Sequence, residues 1–163
     1  MGIRVNSSLS KKTHLLLINT AINHYLGFAL WELKGRKLLL RACTWQKALY
    51  SQSEKFLQTL DAFLIKNLVA PSNLAGIMVV NGPGSFSAVR LGVVAANTIA
   101  LLHDIPVYPY KLKVTEIADL KAWRHFIAEV EEQWIVPANL KRAKFLPAMP
   151  LYTGAAPVTI KKS

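Results

Sequence analysis

The chain has 163 residues, 52% of them hydrophobic and 18% charged, with a formal net charge of +11. That composition excludes disorder and is enough for one domain with a real core. The single cysteine, Cys43, excludes an internal disulfide framework and fits a reducing, cytoplasmic setting.

Lys+Arg number 11 against 4 Asp+Glu in residues 1–110, and 9 against 5 in residues 111–163, so positive charge is spread along the chain. An RNA surface is one reading of that excess, because phosphates are drawn to such a field. A generally solvated surface is the other. No short window interleaves basic residues with exposed-looking aromatics, as a base-stacking platform requires.

Residues 1–12 read as a flexible basic leader, and Leu15-Leu16-Leu17-Ile18 is too short for a signal-peptide core. No apolar run approaches a membrane span, so a soluble protein is expected. His14 to Asn19 is apolar in succession, as in a strand covered on both faces. His24 to Trp31 and Lys37 to Cys43 follow as strands, with turns at residues 20–23 and 34–36. Three strands with short turns make an antiparallel meander.

The period then changes. Phe56, Leu57, Leu60, Phe63, Leu64 and Leu68 recur at helical spacing, which predicts an amphipathic helix over residues 50–68, started by Ser51 or Ser53 and ended by Pro71. A fourth strand is expected over Leu74 to Val80, and a turn at Gly82-Pro83-Gly84-Ser85 leads into a helix over residues 87–102. Glycine admits backbone angles closed to other residues, proline fixes φ, and Ser85 or Ser87 is placed to cap the helix. Val89, Val93, Ala96 and Ala100 lie on one face of it, and Leu91, Val94, Thr98 and Leu101 on another. Only Arg90 and Asn97 within it are strongly polar. A helix apolar on two faces either lies inside a domain or is shared with a partner. A partner surface is the reading favoured by so short a chain; a covering C-terminal element is the alternative. A fifth strand is expected at residues 104–108 and a third helix at residues 114–134, with a Pro-rich tail to residue 163. The order predicts an α/β fold with a mixed sheet.

Chemistry-bearing groups are few. His14, His24, His103 and His125 stand alone, Cys43 lies in an apolar strand, and no metal-ligand spacing is present. Glu54 and Asp61, seven residues apart, can share a helical face but make no acid/base pair. The glycine turn offers a helix N-terminus to phosphate, yet it is not a Walker A loop, a G-x-G-x-x-G fingerprint or a G-x-S-x-G elbow.

Residues 82–93, GPGSFSAVRLGV, resemble the G-P-G-S-F-T-G-[LI]-R-[IL]-G signature of the TsaB family, also called YeaZ, glycoprotease-like proteins of the tRNA threonylcarbamoyladenosine pathway. Residues 15–21 stand where that family has an L-x-I-D-T-S-like strand and turn, residues 28–31 match its second strand, residues 51–57 resemble its N-H-S-E-x-L-L helix start, and residues 105–107 match the strand after the signature helix. The resemblance covers residues 14–110. It implies an actin-like/Hsp70-like ATPase fold, ribonuclease H-like, with residues 13–110 as the N-terminal lobe and residues 111–163 as a reduced C-terminal lobe.

The resemblance further implies a non-catalytic scaffold with no cofactor or metal. Such a scaffold pairs with a TsaD-like catalytic subunit, with a TsaE-like ATPase in the larger complex and tRNA reached indirectly. Pairing is expected through helices 50–68 and 87–102, with Phe56, Leu60, Phe86, Val89, Arg90, Val93, Asn97 and Ala100 as contact residues. Homodimerisation through the same helices is the alternative, and a residual nucleotide-binding or peptidase-like enzyme a third. The chain departs from the family pattern at Asn19, where an acidic residue stands, and at Gln52, where a histidine stands; both speak against metal-dependent hydrolysis. Ser87 for Thr and Ala88 for Gly are milder changes.

Overall fold

The structure is a computed structural model that describes residues 11–113, 117 and 119–151. Most of the expected leader, the first residues of the expected third helix and the closing segment from residue 152 onward lie outside the described residues.

Five strands form one sheet: β1 (His14–Asn19), β2 (Tyr25–Lys34), β3 (Lys37–Lys47), β4 (Leu74–Gly82) and β5 (Val107–Lys111), in the order β3-β2-β1-β4-β5. The first three are the expected antiparallel meander, and β4 and β5 run parallel to β1. The sheet is therefore mixed, as the order of elements predicts. Strands β2 and β3 run further than expected, because their pairing extends from Lys34 opposite Lys37 at the turn to Tyr25 opposite Lys47 at the far end. Strand β5 starts three residues later than expected, at Val107.

Helices α1 (Gln52–Lys66) and α2 (Phe86–His103) cover one face of the sheet, and α3 (Leu120–Gln133) covers the other. Strand alternation assigns the faces. Phe28 points to α1 and meets the rings of Phe56 and Phe63. Gly27 and Trp31 point to α3: the Trp31 indole donates to Glu131 at 2.9 Å, and a Cβ on Gly27 would meet the rings of Trp45 and Trp123. Trp45, Trp123 and Phe126 stack in succession over that face. The β1 and β4 side chains are buried on both faces, which is why they read as continuous apolar runs.

The helix ends follow local chemistry. The Ser85 hydroxyl accepts from the Ala88 N–H at 3.3 Å and so caps α2, as expected. Ser51 sits at the start of α1, but its hydroxyl donates to the Leu49 carbonyl and caps nothing. Asp119 caps α3 by accepting from Ala122 at 2.8 Å. Regular structure in the expected tail includes a 3-10 turn at Leu140–Arg142 and a bridge from Leu146 to Pro106.

One expectation is corrected by α2. At 18 residues it is long and apolar enough to cross a membrane. Its inner residues Val89, Val93, Ala96 and Ala100 nevertheless pack on the sheet, as in a core helix.

Candidate partner-binding site

The glycine turn is built against the link between β1 and β2. A Cβ on Gly84 would collide with the Ala21 carbonyl, and one on Gly92 would lie 2.5 Å from the Thr20 hydroxyl oxygen. The Thr20 hydroxyl donates to the Ala88 carbonyl. Gly82 has φ +139, and a Cβ there would lie 2.5 Å from the Leu151 carbonyl. The glycines therefore let three backbone segments meet: the β1–β2 link, the first turns of α2 and the C-terminal segment.

Both departures from the family pattern support this junction. Asn19 is fully buried, and its Oδ1 accepts from the Ala21 N–H at 3.0 Å. The Gln52 Nε2 group donates to the carbonyls of Thr20, Ile22 and Tyr25 at 3.2, 3.1 and 2.6 Å. A side chain that gathers three carbonyls of one turn is a clamp on that turn. No spacing rule signals it, because the carbonyls come together only in the folded turn.

Among the described residues, no group of three or more His, Cys, Asp or Glu side chains is placed to hold a metal ion. A cleft of about 310 Å3 beside α3 is lined in part by Tyr110, His125 and Glu129. His125 and Glu129 lie 3.6 Å apart but are largely solvent-exposed, so water screens the pair. Burial, then the Glu129 charge, raises the Tyr110 hydroxyl above its usual range.

Five of the eight expected contact residues are corrected by their burial. Phe56, Leu60, Val89, Val93 and Ala100 all lie in the chain's own core. Asn97 is half-buried against Ala148. Phe86 and Arg90 are exposed, with the Arg90 guanidinium 5.2 Å from the centre of the Phe86 ring. The outward apolar stripe of α2 instead continues through Val94, 59% exposed, and Leu101, 62% exposed. On α1 the matching outward residues are Leu57 and Ile65, with Leu68 beyond its end. Both stripes lie on the sheet face opposite α3.

Residues 46–111 match the family model described as TsaD: tRNA N6-adenosine threonylcarbamoyltransferase. The chain is 34% identical over 93 residues to the tRNA threonylcarbamoyladenosine biosynthesis protein TsaB of Bacillus subtilis (strain 168), a match covering 57% of this chain and 38% of that protein. Part of the chain is thus similar to TsaB and to the TsaD family model. The chain thus spans less than half the length of this TsaB relative. YeaZ from Pseudomonas aeruginosa superposes with a TM-score of 0.52 at 22% identity, over 61% of this chain and 44% of that one. A second P. aeruginosa structure, of an uncharacterized protein with similarity to peptidase YeaZ, gives the same TM-score over 61% of this chain and 43% of its own. At this identity the superpositions establish the YeaZ-like fold. The glycine turn, α2 and β5 all fall inside the TsaD-model match.

Proposed function

We propose that this chain is a non-catalytic partner subunit in tRNA threonylcarbamoyladenosine modification. It pairs with a TsaD-like catalytic subunit through the outer stripes of α1 and α2. The observation that carries this reading is the second apolar face of α2: with Val89 and Val93 already against the sheet, Val94 and Leu101 remain in solvent. Each such side chain gains roughly 1.5–3 kcal/mol when fully covered. A TsaE-like ATPase would join the larger complex, in the cytoplasm, and the catalytic chemistry would belong to the TsaD-like subunit.

The test is co-expression with a TsaD homologue, followed by size-exclusion chromatography with light scattering. A stable complex is expected, with no threonylcarbamoyl transfer by this chain alone. Transfer by the isolated chain, or no complex, would sink the proposal. Self-association is a second reading, because the same stripes can face a second copy across a two-fold axis. Light scattering of the isolated chain would then give twice the monomer mass.

A further inference from the structure

Part of the positive charge spread along the sequence is gathered in space. Arg36, on the turn between β2 and β3, and Lys141 and Arg142, on the distant 3-10 turn, line one cleft of about 440 Å3. Leu33, Val136 and Leu140 are buried and form its floor. The residues lining it include no carboxylate. Among the described residues, none of the three cations has an ion-pair partner. Lys34 and Lys37 flank Arg36 and are exposed.

The volume is that of a small-molecule site, about 300–1,000 Å3, but such sites are mostly apolar with a few fixed polar groups. Here the charged residues that line the cleft are all cations, and Glu131 and Glu132 line only the adjoining groove that Arg36 also borders. Like charges held together repel unless a polyanion neutralises them. Two guanidinium groups also match paired phosphate oxygens in geometry.

The cleft lies on the side away from α1 and α2. Leu140 packs into the space left by Gly76, where a Cβ would lie 3.2 Å from it. Gly76 is in register with Leu15, and Leu15 with Trp31, which bonds Glu131 of α3. A subunit seated on α1 and α2 therefore leaves the cleft open.

We propose that this cleft binds the phosphate backbone of RNA directly, with Arg36, Lys141 and Arg142 as phosphate contacts. The choice of RNA among polyanions rests on the tRNA-modification reading; the charge and shape of the cleft do not.

The test is fluorescence anisotropy of a labelled, unmodified tRNA transcript with the full chain at several salt concentrations. The variant Arg36→Glu/Lys141→Glu/Arg142→Glu is compared with Lys47→Glu/Lys55→Glu/Lys121→Glu, which makes the same charge change at exposed sites elsewhere. Each phosphate contact contributes roughly 0.7–0.9 to the slope of log affinity against log salt. The cleft variant is expected to flatten the slope by about 2 and weaken binding by roughly tenfold or more, while the control keeps its slope. Arg36→Ala and Arg142→Ala, each lowering the slope by about 1, serve if the triple variant does not fold. Equal losses in both triple variants, or no tRNA binding by the wild type, would overturn the proposal. So would tighter binding to phosphatidylcholine–phosphatidylserine vesicles than to tRNA. Pairing with the TsaD homologue is scored separately. If pairing fails while cleft-dependent tRNA binding persists, the modification reading fails and the cleft assignment stands.

Discussion

The Asn97 side chain closes a two-point hydrogen bond with the backbone of Ala148, 51 residues away: its Nδ2 donates to the Ala148 carbonyl and its Oδ1 accepts from the Ala148 N–H, both at 2.9 Å. A primary amide carries a donor and an acceptor on neighbouring atoms, which suits a two-point bond to one residue's backbone. Together with Asn81, which donates to the Met149 carbonyl at 2.9 Å, it fastens the segment before residue 151 alongside α2.

Asn97→Ala should therefore loosen that segment. The lost pair is worth about 1–2 kcal/mol, offset in part by the better helix propensity of alanine, roughly 0.7 kcal/mol. Hydrogen exchange should quicken at Ala148 and Leu151 while the β4 amides keep their protection. Unchanged exchange at Ala148 would show that the segment is held by other contacts.

Two glycines should respond differently to substitution. Gly35 has φ +62, and a Cβ placed on it would meet no atom within 4 Å, so it needs only a residue tolerant of the left-handed region. Gly35→Asn should stay within about 0.5 kcal/mol of wild type. Gly84→Ala drives a methyl into the Ala21 carbonyl and should cost about 2–3 kcal/mol. Urea melts of the two variants measure the difference.

The two apolar faces of α2 separate in mutagenesis. Val93 is 2% exposed, so Val93→Glu buries an unpaired carboxylate and should prevent folding. Val94→Lys with Leu101→Lys changes only exposed positions and should leave the melting temperature within a few degrees. The same double variant should lose the complex with a TsaD homologue in a pull-down. Intact pairing would place the interface elsewhere.

Stability should fall on mild acidification through His14. Burial lowers its pKa below the usual 6.5, an effect opposed by nearby Glu32 and reinforced by Arg41. The native state thus favours the neutral ring, while the unfolded chain takes up a proton first. Stability is full above about pH 6.5 and is lost as pH falls from there through the lowered native pKa. Melts between pH 7.5 and 5 should show the decline, and His14→Asn should flatten it. At lower pH, Asp104 adds a loss of the same sign. Its carboxylate accepts from the Phe145 N–H and pairs with Lys144, which lowers its pKa. That contribution is present above the ordinary carboxylate range and is lost as pH drops through the native value.

Much of this was legible in the residues. Continuous apolar runs marked β1 and β4 because a strand covered on both faces has no polar alternate. The 3.6-residue period marked α1, and Gly82-Pro83-Gly84-Ser85 marked the junction before α2. The clamp by Gln52 was not legible, since its three acceptors belong to a turn that exists only once folded. Nor was the basic cleft, because Arg36 and Lys141 are brought together by α3 and the chain that follows it.

The sequence by itself determined the order of elements, the family resemblance and the fact that α2 is apolar on two sides. Only the tertiary structure decided which side is spent on the core. Gly92 lies against Thr20 and Gly84 against Ala21, and these close approaches set the rotation in which α2 sits on the sheet. That rotation sends Val89, Val93 and Ala100 inward and leaves Val94 and Leu101 outside. Periodicity groups side chains by angle around a helix axis; it carries no information about which angle meets the sheet.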